Sequence, residues 1–429
     1  MRGCSPRALR LRETRADPDE CESIPNENEE DKSLRVMLLG SRIELKPSSS
    51  AHNFWLGMIP AIGDSVEQFV IASIGGKTSQ NEYALPEARA FPFPLRLIYA
   101  GNPEGNVTLE TNYLLKTALF GGVYPLIAEL VKKYRIDLIH LVDNYGPIQA
   151  LLSRVRAAKT SFQLNYNPKS LLYNGFLRAS LGSMDGVITG SVALARKLGE
   201  LRVAPRIVTI PWAVSVDSPD SETGDNADLA ALGLELPPER PLVTWTGFLG
   251  GFIGKQELLF SIRIAKHVVR ELRDVSFAFA LKNEHFDREY KSFEEDRIKI
   301  IPLRSRTEFL KLARLSSLLF SPCLNERIIV GPPLTWLECM AIGVPIMTTK
   351  LQGVDELILN GSNGIIVPSP EQVHEHLSQL LRDGGKMKRL ATNAKETIKR
   401  RFGMKNAAAE YVRIWSSIVN SRRSNTNRD

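Results

Sequence analysis

At 429 residues, with 43% hydrophobic and 24% charged side chains, the chain has room for two domains of ordinary size and the composition of a globular protein. No apolar run reaches the length of a bilayer span, and no aromatic-interleaved basic motif accompanies the net charge of +7, so membrane-spanning and nucleic-acid-binding classes are set aside. The four cysteines, Cys4, Cys21, Cys323 and Cys339, lack metal-ligand spacing and read as reduced thiols of a cytoplasmic protein.

In chain order, residues 1–32 are polar, acidic after a basic start, and poor in apolar side chains, which predicts a disordered tail. The basic start has no apolar segment behind it and no small-residue cleavage site, so it does not read as a secretory signal. From residue 34 apolar strand runs alternate with amphipathic helices. "LRVMLLG" (34–40), "QFVIASIGG" (68–76) and "LRLIYAG" (95–101) read as strands. A helix over 112–134 leads into the strand "IDLIHLV" (136–142), followed by a helix near 147–158 and a strand near "SFQLNYN" (161–167). The strand "DGVITGS" (185–191), a helix over 192–200 and the strand "RIVTIP" (206–211) complete a first domain, 33–215.

Residues 216–240 are rich in Pro, Gly and Asp and mark a linker or insertion. A second αβ series fills 241–395: strand 241–246, helix 256–272, strands 275–281 and 297–301, helix 306–314, strand 316–321, helix 334–342 and strand 344–348. Basic helices over 371–383 and 385–420, with a break near Gly403, close the chain. The segment 396–420 is expected to pack back on the first domain, with 421–429 as a tail. Such alternation predicts an α/β protein of two doubly wound, Rossmann-like domains, whose ligands sit beyond the carboxyl ends of the strands. The basic excess gathered at the C-terminal end suits anionic lipid headgroups, which would make the protein peripheral on the cytoplasmic membrane face; a solvated helix surface is the plain alternative.

The stretch "TWTGFLGGFIGKQ" (244–256) looks like a phosphate-binding loop but fails the Walker pattern at Leu249 and Gln256. A glycine-rich turn between strand and helix nonetheless leaves backbone N–H groups free for an anion.

The most informative segment is "SPCLNERIIVGPPLTWLECMAIGVPIMTTKLQGVDELILNGSNGIIVPSP" (321–370). It resembles the donor-binding half of glycosyltransferase family 4, retaining enzymes of the GT-B fold. Leu334, Glu338, Met340, Ala341, Gly343, Pro345, Thr349, Gly353, Glu356, Asn363, Gly364, Val367 and Pro368 fall at the family's motif positions. Gly247, Leu249 and Lys255 match its opening loop, and "IPWAVSVD" (210–217), "DGVITGSVALARKL" (185–198) and "IDLIHLVDNYG" (136–146) are similar to segments of its acceptor domain. The resemblance implies two Rossmann-like domains facing a central cleft, with the C-terminal helices crossing back. The partners it implies are a nucleotide-diphosphate sugar as co-substrate and a glycan, lipid-linked or small-molecule acceptor. It implies no other cofactor.

The chain departs from the family pattern at several positions. Phe248 stands where an arginine is usual, Val142 where a second histidine is usual, and Ser48-Ser49-Ser50 replace a glycine pair. The family's two glutamates lie eight positions apart, but eight before Glu338 is Val330; the count from Pro322 lands instead on Glu326, as though "RIIV" lengthened the loop.

On this resemblance Lys255 would face the diphosphate, where negative charge develops on the leaving group. Gly247, Gly331, Leu334 and Thr335 would offer backbone N–H groups to it, Pro332 and Pro333 being unable to donate. Ser49 and Ser50 would do the same from the first domain, or form no more than a polar loop. Glu338 would accept from the ribose hydroxyls; from spacing alone, Thr335 to Glu338 reads T-x-x-E, a capping box. Glu326 would hold donor-sugar hydroxyls or lie on the surface beside Arg327. His140 and Asp143 would face the cleft and hold sugar or acceptor, a satisfied core histidine being the commoner fate. Asp17-Pro18-Asp19 spells the metal motif of the other glycosyltransferase fold but sits in the tail, so no metal site is assigned.

Overall fold

The computed structural model describes residues 34–41, 50–74, 82–83, 95–100, 124–125, 127–142, 146–163, 165–166, 173–215, 241–247, 254–282, 288–324 and 329–426. The tail 1–32, the expected linker 216–240, the loop 248–253, and Ser49, Asp143 and Glu326 lie outside them.

The first sheet is built from β1 (Arg35–Ser41), β2 (Gln68–Ile74), β3 (Glu82–Tyr83), β4 (Leu95–Ala100), β5 (Leu138–Leu141), β6 (Ala158–Gln163), β8 (Gly186–Thr189) and β9 (Ile207–Thr209). Its order is β3-β4-β2-β1-β5-β6-β8-β9, parallel except for the β3–β4 pair. The chain runs outward from β1 in one direction and resumes at β5 on its other side, so the order reverses between β1 and β5. All residues of β5, β6 and β8 are buried, as expected for parallel strands covered on both faces.

The second sheet contains β10 (Leu242–Gly247), β11 (Ser276–Lys282), β12 (Ile298–Leu303), β13 (Leu318–Phe320), β15 (Ile346–Thr349) and β16 (Gly364–Val367), all parallel, in the order β12-β11-β10-β13-β15-β16. Here the order reverses between β10 and β13, which puts the loops after those strands side by side at the carboxyl edge.

Helices α1 (Ser50–Ile62), α2 (Tyr173–Leu181), α3 (Val192–Glu200), α4 (Lys255–Glu271), α5 (Arg306–Leu315), α6 (Leu334–Ala341), α7 (Val373–Arg382), α8 (Gly384–Arg401) and α9 (Met404–Thr426) flank the sheets. Several begin where a side chain takes an orphan N–H: the Ser191 hydroxyl accepts from Leu194 N, the Ser305 hydroxyl from Glu308 N, and the Asp383 carboxylate from Lys386 N. No helix among the described residues is long and apolar enough to cross a membrane.

The last helix, α9, lies against α1 and buries Tyr411, Trp415 and Ile418 in one apolar cluster that runs through both domains. Its far end is pinned to the amino ends of the first sheet. Arg422 reaches Asp185 at 2.8 Å and Arg423 reaches Asp137 at 2.7 Å. Where the chain leaves the first domain it meets its own return: Val214 N donates to Phe402 O at 2.9 Å, and Met404 N to Val214 O at 3.1 Å.

Two local expectations change. The helix near 147–158 is a run of 3-10 turns over Gly146–Arg154, because Ala158 is already in β6. The strand expected over 161–167 ends at Gln163, and a separate piece, β7 (Asn165–Tyr166), pairs antiparallel with β14 (Ile329–Val330) of the other domain.

Candidate functional site

Four consecutive strands of the second sheet end in loops or helix starts that carry charge to one edge. After β10 comes Lys255, the first residue of α4; after β11 comes Glu289, in a 3-10 turn; after β12 comes Arg306, the first residue of α5; after β13 comes Glu338, on α6. Two ion pairs result. Lys255 Nζ lies 3.2 Å from Glu289 Oε1 and 5.6 Å from the Tyr290 ring centroid, with its side chain 56% exposed and so open to an incoming anion. The helix behind it starts at Gly254, whose N–H donates to Glu257 Oε2 at 2.8 Å; that carboxylate offsets the unfavourable cation in the first turn.

Glu338 is the buried member of the other pair. Its side chain is 5% exposed, and Arg306 Nε and Nη2 each lie 2.7 Å from the same oxygen, Oε1. Burial pushes the Glu338 carboxyl above the usual carboxylate range, and the Arg306 guanidinium pulls against it. The capping-box alternative is not realised: α6 begins at Leu334 with Pro333 as its cap, no side chain bonds the cap, and Thr335 is already the second helical residue. The first bonds back to Pro333 O come from Trp336 N and Leu337 N, leaving the N–H groups of Leu334 and Thr335 before them at the helix tip. Leu334 is buried and Thr335 half-buried. Gly247 is the last residue of β10, paired with Leu281.

The same edge meets the first domain. Gly331 is buried with its backbone against Gly190, just past β8; a Cβ on Gly331 would lie 2.9 Å from Gly190 Cα. Ile329, beside it in β14, is 4% exposed and packs into the first domain's core with Tyr166. Glu356 spans the domains as well: Oε2 accepts from Val192 N at 2.7 Å and Oε1 from Ala193 N at 2.8 Å, so a carboxylate of the second domain occupies the N-terminus of α3. Arg401 Nη2 donates to Glu356 O at 2.8 Å and steadies that turn. Helix α1, whose first residue is Ser50, touches α6. The carboxyl edges of the two sheets thus face each other.

His140 does not face that gap. It is the third residue of β5, in register with Leu38 and Thr160, and is 0% exposed. Its Nδ1 lies 2.8 Å from Thr160 Oγ1, and its ring sits 5.0 Å from Trp55, 5.4 Å from Trp415 and 5.7 Å from Tyr411. Burial among these rings lowers its pKa to about 3. The reason is the strand's length: β5 ends at Leu141, one residue later, so His140 is still sheathed by α1 and α9 when the edge is reached.

Sequence reasoning missed Arg306 as the partner of Glu338 and Glu356 as a link between domains. Arg306 carried one usable signal, its place just after the helix cap Ser305 at a strand's carboxyl end. Glu356 carried none beyond its motif position.

Residues 243–383 match the family described as glycosyl transferases group 1. An uncharacterized glycosyltransferase of Methanocaldococcus jannaschii is 25% identical over 351 residues, covering 76% of this chain and 90% of its own length. Two other curated relatives are matched over only 22% and 28% of their own length. Among solved structures, sucrose-phosphate synthase from Thermosynechococcus elongatus superposes with a TM-score of 0.68 at 13% identity, covering 90% of this chain and 100% of that one. Anabaena HepE in complex with UDP and glucose superposes at 0.62, with 14% identity and coverage of 90% and 100%. At such identities the likeness is one of fold, and the fold is GT-B.

Proposed function

We propose that this chain, whose residues 243–383 match the glycosyl transferases group 1 family, moves a hexosyl-type group from a nucleoside diphosphate sugar, held by the second domain, to an acceptor held by the first. The observation that carries this reading is the placement of Lys255 and Glu338 after the adjacent strands β10 and β13, where the second sheet reverses its order. An anhydride linkage lying across that point meets an exposed ammonium on one side and the open N–H groups of α6 on the other. Glu338, buried and accepting, then suits the ribose hydroxyls.

Expulsion of the diphosphate concentrates charge on its oxygens, so a cation and aligned N–H groups there lower the barrier directly and take the place of a divalent ion. The departing phosphate oxygen takes the acceptor proton on the face where the acceptor attacks, which retains configuration and needs no separate general base. A uridine nucleotide is the first donor base to try, since HepE is described with UDP. The acceptor is a glycan, a lipid-linked sugar or a small molecule.

A second reading is favoured by one specific feature. Val330 stands eight residues before Glu338, and its backbone is tied to Asn165, so that position offers no carboxylate to a donor sugar. On that reading the protein binds nucleotide sugar without transferring it. Incubating the purified protein with a panel of nucleotide sugars and a cell extract, and following released nucleoside diphosphate and glycosylated product by mass spectrometry, separates the two. Transfer is expected, with Lys255→Ala lowering kcat by about 10²–10³-fold and Glu338→Ala acting mainly through the donor KM. Binding without turnover selects the second reading, and unchanged turnover in both variants refutes the site.

A further inference from the structure

We infer that Arg306 is a positioning residue for the donor's ribose: it fixes and aims the buried Glu338 carboxylate, so that the oxygen turned from the arginine accepts from the sugar hydroxyls. The inference rests on the donor-site reading above and adds to it a residue that the family motif does not contain.

The geometry is specific. Arg306 opens α5, and its backbone is fixed from both sides: Ser305 Oγ accepts from Glu308 N at 3.1 Å, while Glu308 Oε2 accepts from Arg304 N at 2.7 Å. From that anchored start the guanidinium crosses to α6, and both of its contacts fall on Oε1 of Glu338. The Nε hydrogen bond and the Nη2 ion pair both fall on that one oxygen and leave Oε2 outside the fork, which is the arrangement an acceptor for a third group requires. Exposure is asymmetric: Glu338 is 5% exposed and Arg306 is 41% exposed. The carboxylate is therefore the desolvated partner, and the arginine remains hydrated on its outer side.

A carboxylate so buried without a cation would take up a proton, and a neutral carboxyl is a poorer acceptor. Arg306 opposes that drift. Lysine could supply the charge but not the planar fork that fixes the direction of Glu338. A purely structural pair joining α5 to α6 would affect stability and nothing else, whereas a positioning role predicts a loss confined to recognition of the ribose.

Titration calorimetry on the full chain first identifies the tightest of ADP, GDP, CDP and UDP, and then compares it with its 2′-deoxy counterpart. Wild type should prefer the ribonucleotide by about tenfold, as for a hydrogen bond to a charged group. In Arg306→Ala that preference should fall to within about twofold, with the deoxynucleotide affinity nearly unchanged, and Arg306→Lys should restore part of it. Glu338→Gln should erase the preference too, and adding Arg306→Ala to it should change nothing further. If Arg306→Ala does not fold by circular dichroism, Arg306→Lys and Arg306→Gln carry the comparison. A wild-type preference retained in the folded arginine variants overturns the inference. So does tighter binding on removal of Arg306, which would make the arginine a plug. A wild type that binds nucleoside diphosphates without telling ribose from deoxyribose overturns the inference and leaves the donor site standing; one that binds none of them overturns both.

Discussion

Replacing His140 with phenylalanine should flatten the acid limb of the protein's stability profile. The imidazole lies inside the Trp55–Tyr411–Trp415 cage with its pKa lowered to about 3, whereas in the unfolded chain it titrates at its ordinary 6.5. Below 6.5 the unfolded state binds a proton that the folded state refuses. Stability is therefore full above that pH and is lost progressively as pH falls toward 3. At pH 5 the difference amounts to about 2 kcal/mol, from 1.5 pH units at about 1.4 kcal/mol each. Phenylalanine fills the same cage and does not titrate. It also strips Thr160 Oγ1 of its partner, a cost of about 1 kcal/mol that is the same at every pH and so drops out of the slope. Urea unfolding at pH 7.5, 6.0 and 5.0, followed by tryptophan fluorescence, gives the two slopes. Wild type should lose about 2 kcal/mol more than His140→Phe between pH 7.5 and 5.0. Parallel slopes would mean that the imidazole reaches water in the folded protein, and the assignment of His140 to the core would fall.

Two further substitutions probe the contact between domains. Gly331→Ala places a methyl 2.9 Å from Gly190 Cα and 3.0 Å from its carbonyl carbon, both rigid backbone, so the domains must part. A larger radius of gyration by small-angle scattering and a lower melting temperature are expected, with Gly384→Ala, whose surroundings are open, as the control; identical scattering curves would deny the close approach. Glu356→Ala removes the carboxylate from the N-terminus of α3 and should lower stability by about 1 kcal/mol. Faster hydrogen exchange at Val192 and Ala193 is the direct readout, and unaltered protection there would show that the cap contributes nothing.

What could be read from the chain, and what could not, divides by distance along it. The helix expected over 192–200 occupies those residues, because Ser191 announces it and apolar spacing sustains it. In the motif segment, Gly343 and Gly353 take φ of 89° and 85°, a left-handed geometry that a local pattern encodes directly. The two doubly wound domains follow from alternation alone. His140 was misplaced because strands buried on both faces carry no periodicity to tell core from rim. The Arg306–Glu338 pair bridges 32 residues, and the register of Val330 with Asn165 bridges the two domains; no window of sequence contains either. The spacing anomaly before Glu338 was visible, but the pairing of two of its residues was not: Ile329 and Val330 form half of an interdomain ribbon.

The reciprocal bonds between Val214 and the Phe402–Met404 turn have a mechanical corollary. The chain's exit from one half and its re-entry are fastened to each other in one knot, so they cannot slide independently. Beside it lies a hollow of about 180 Å³, bounded by Pro211, Trp212, Arg401 and Asn406, which leaves the knot space to bend. Because the final helix is moored at both Trp415 and Arg422, its 23 residues belong with the half they cover, and the return crossing lies near residue 402.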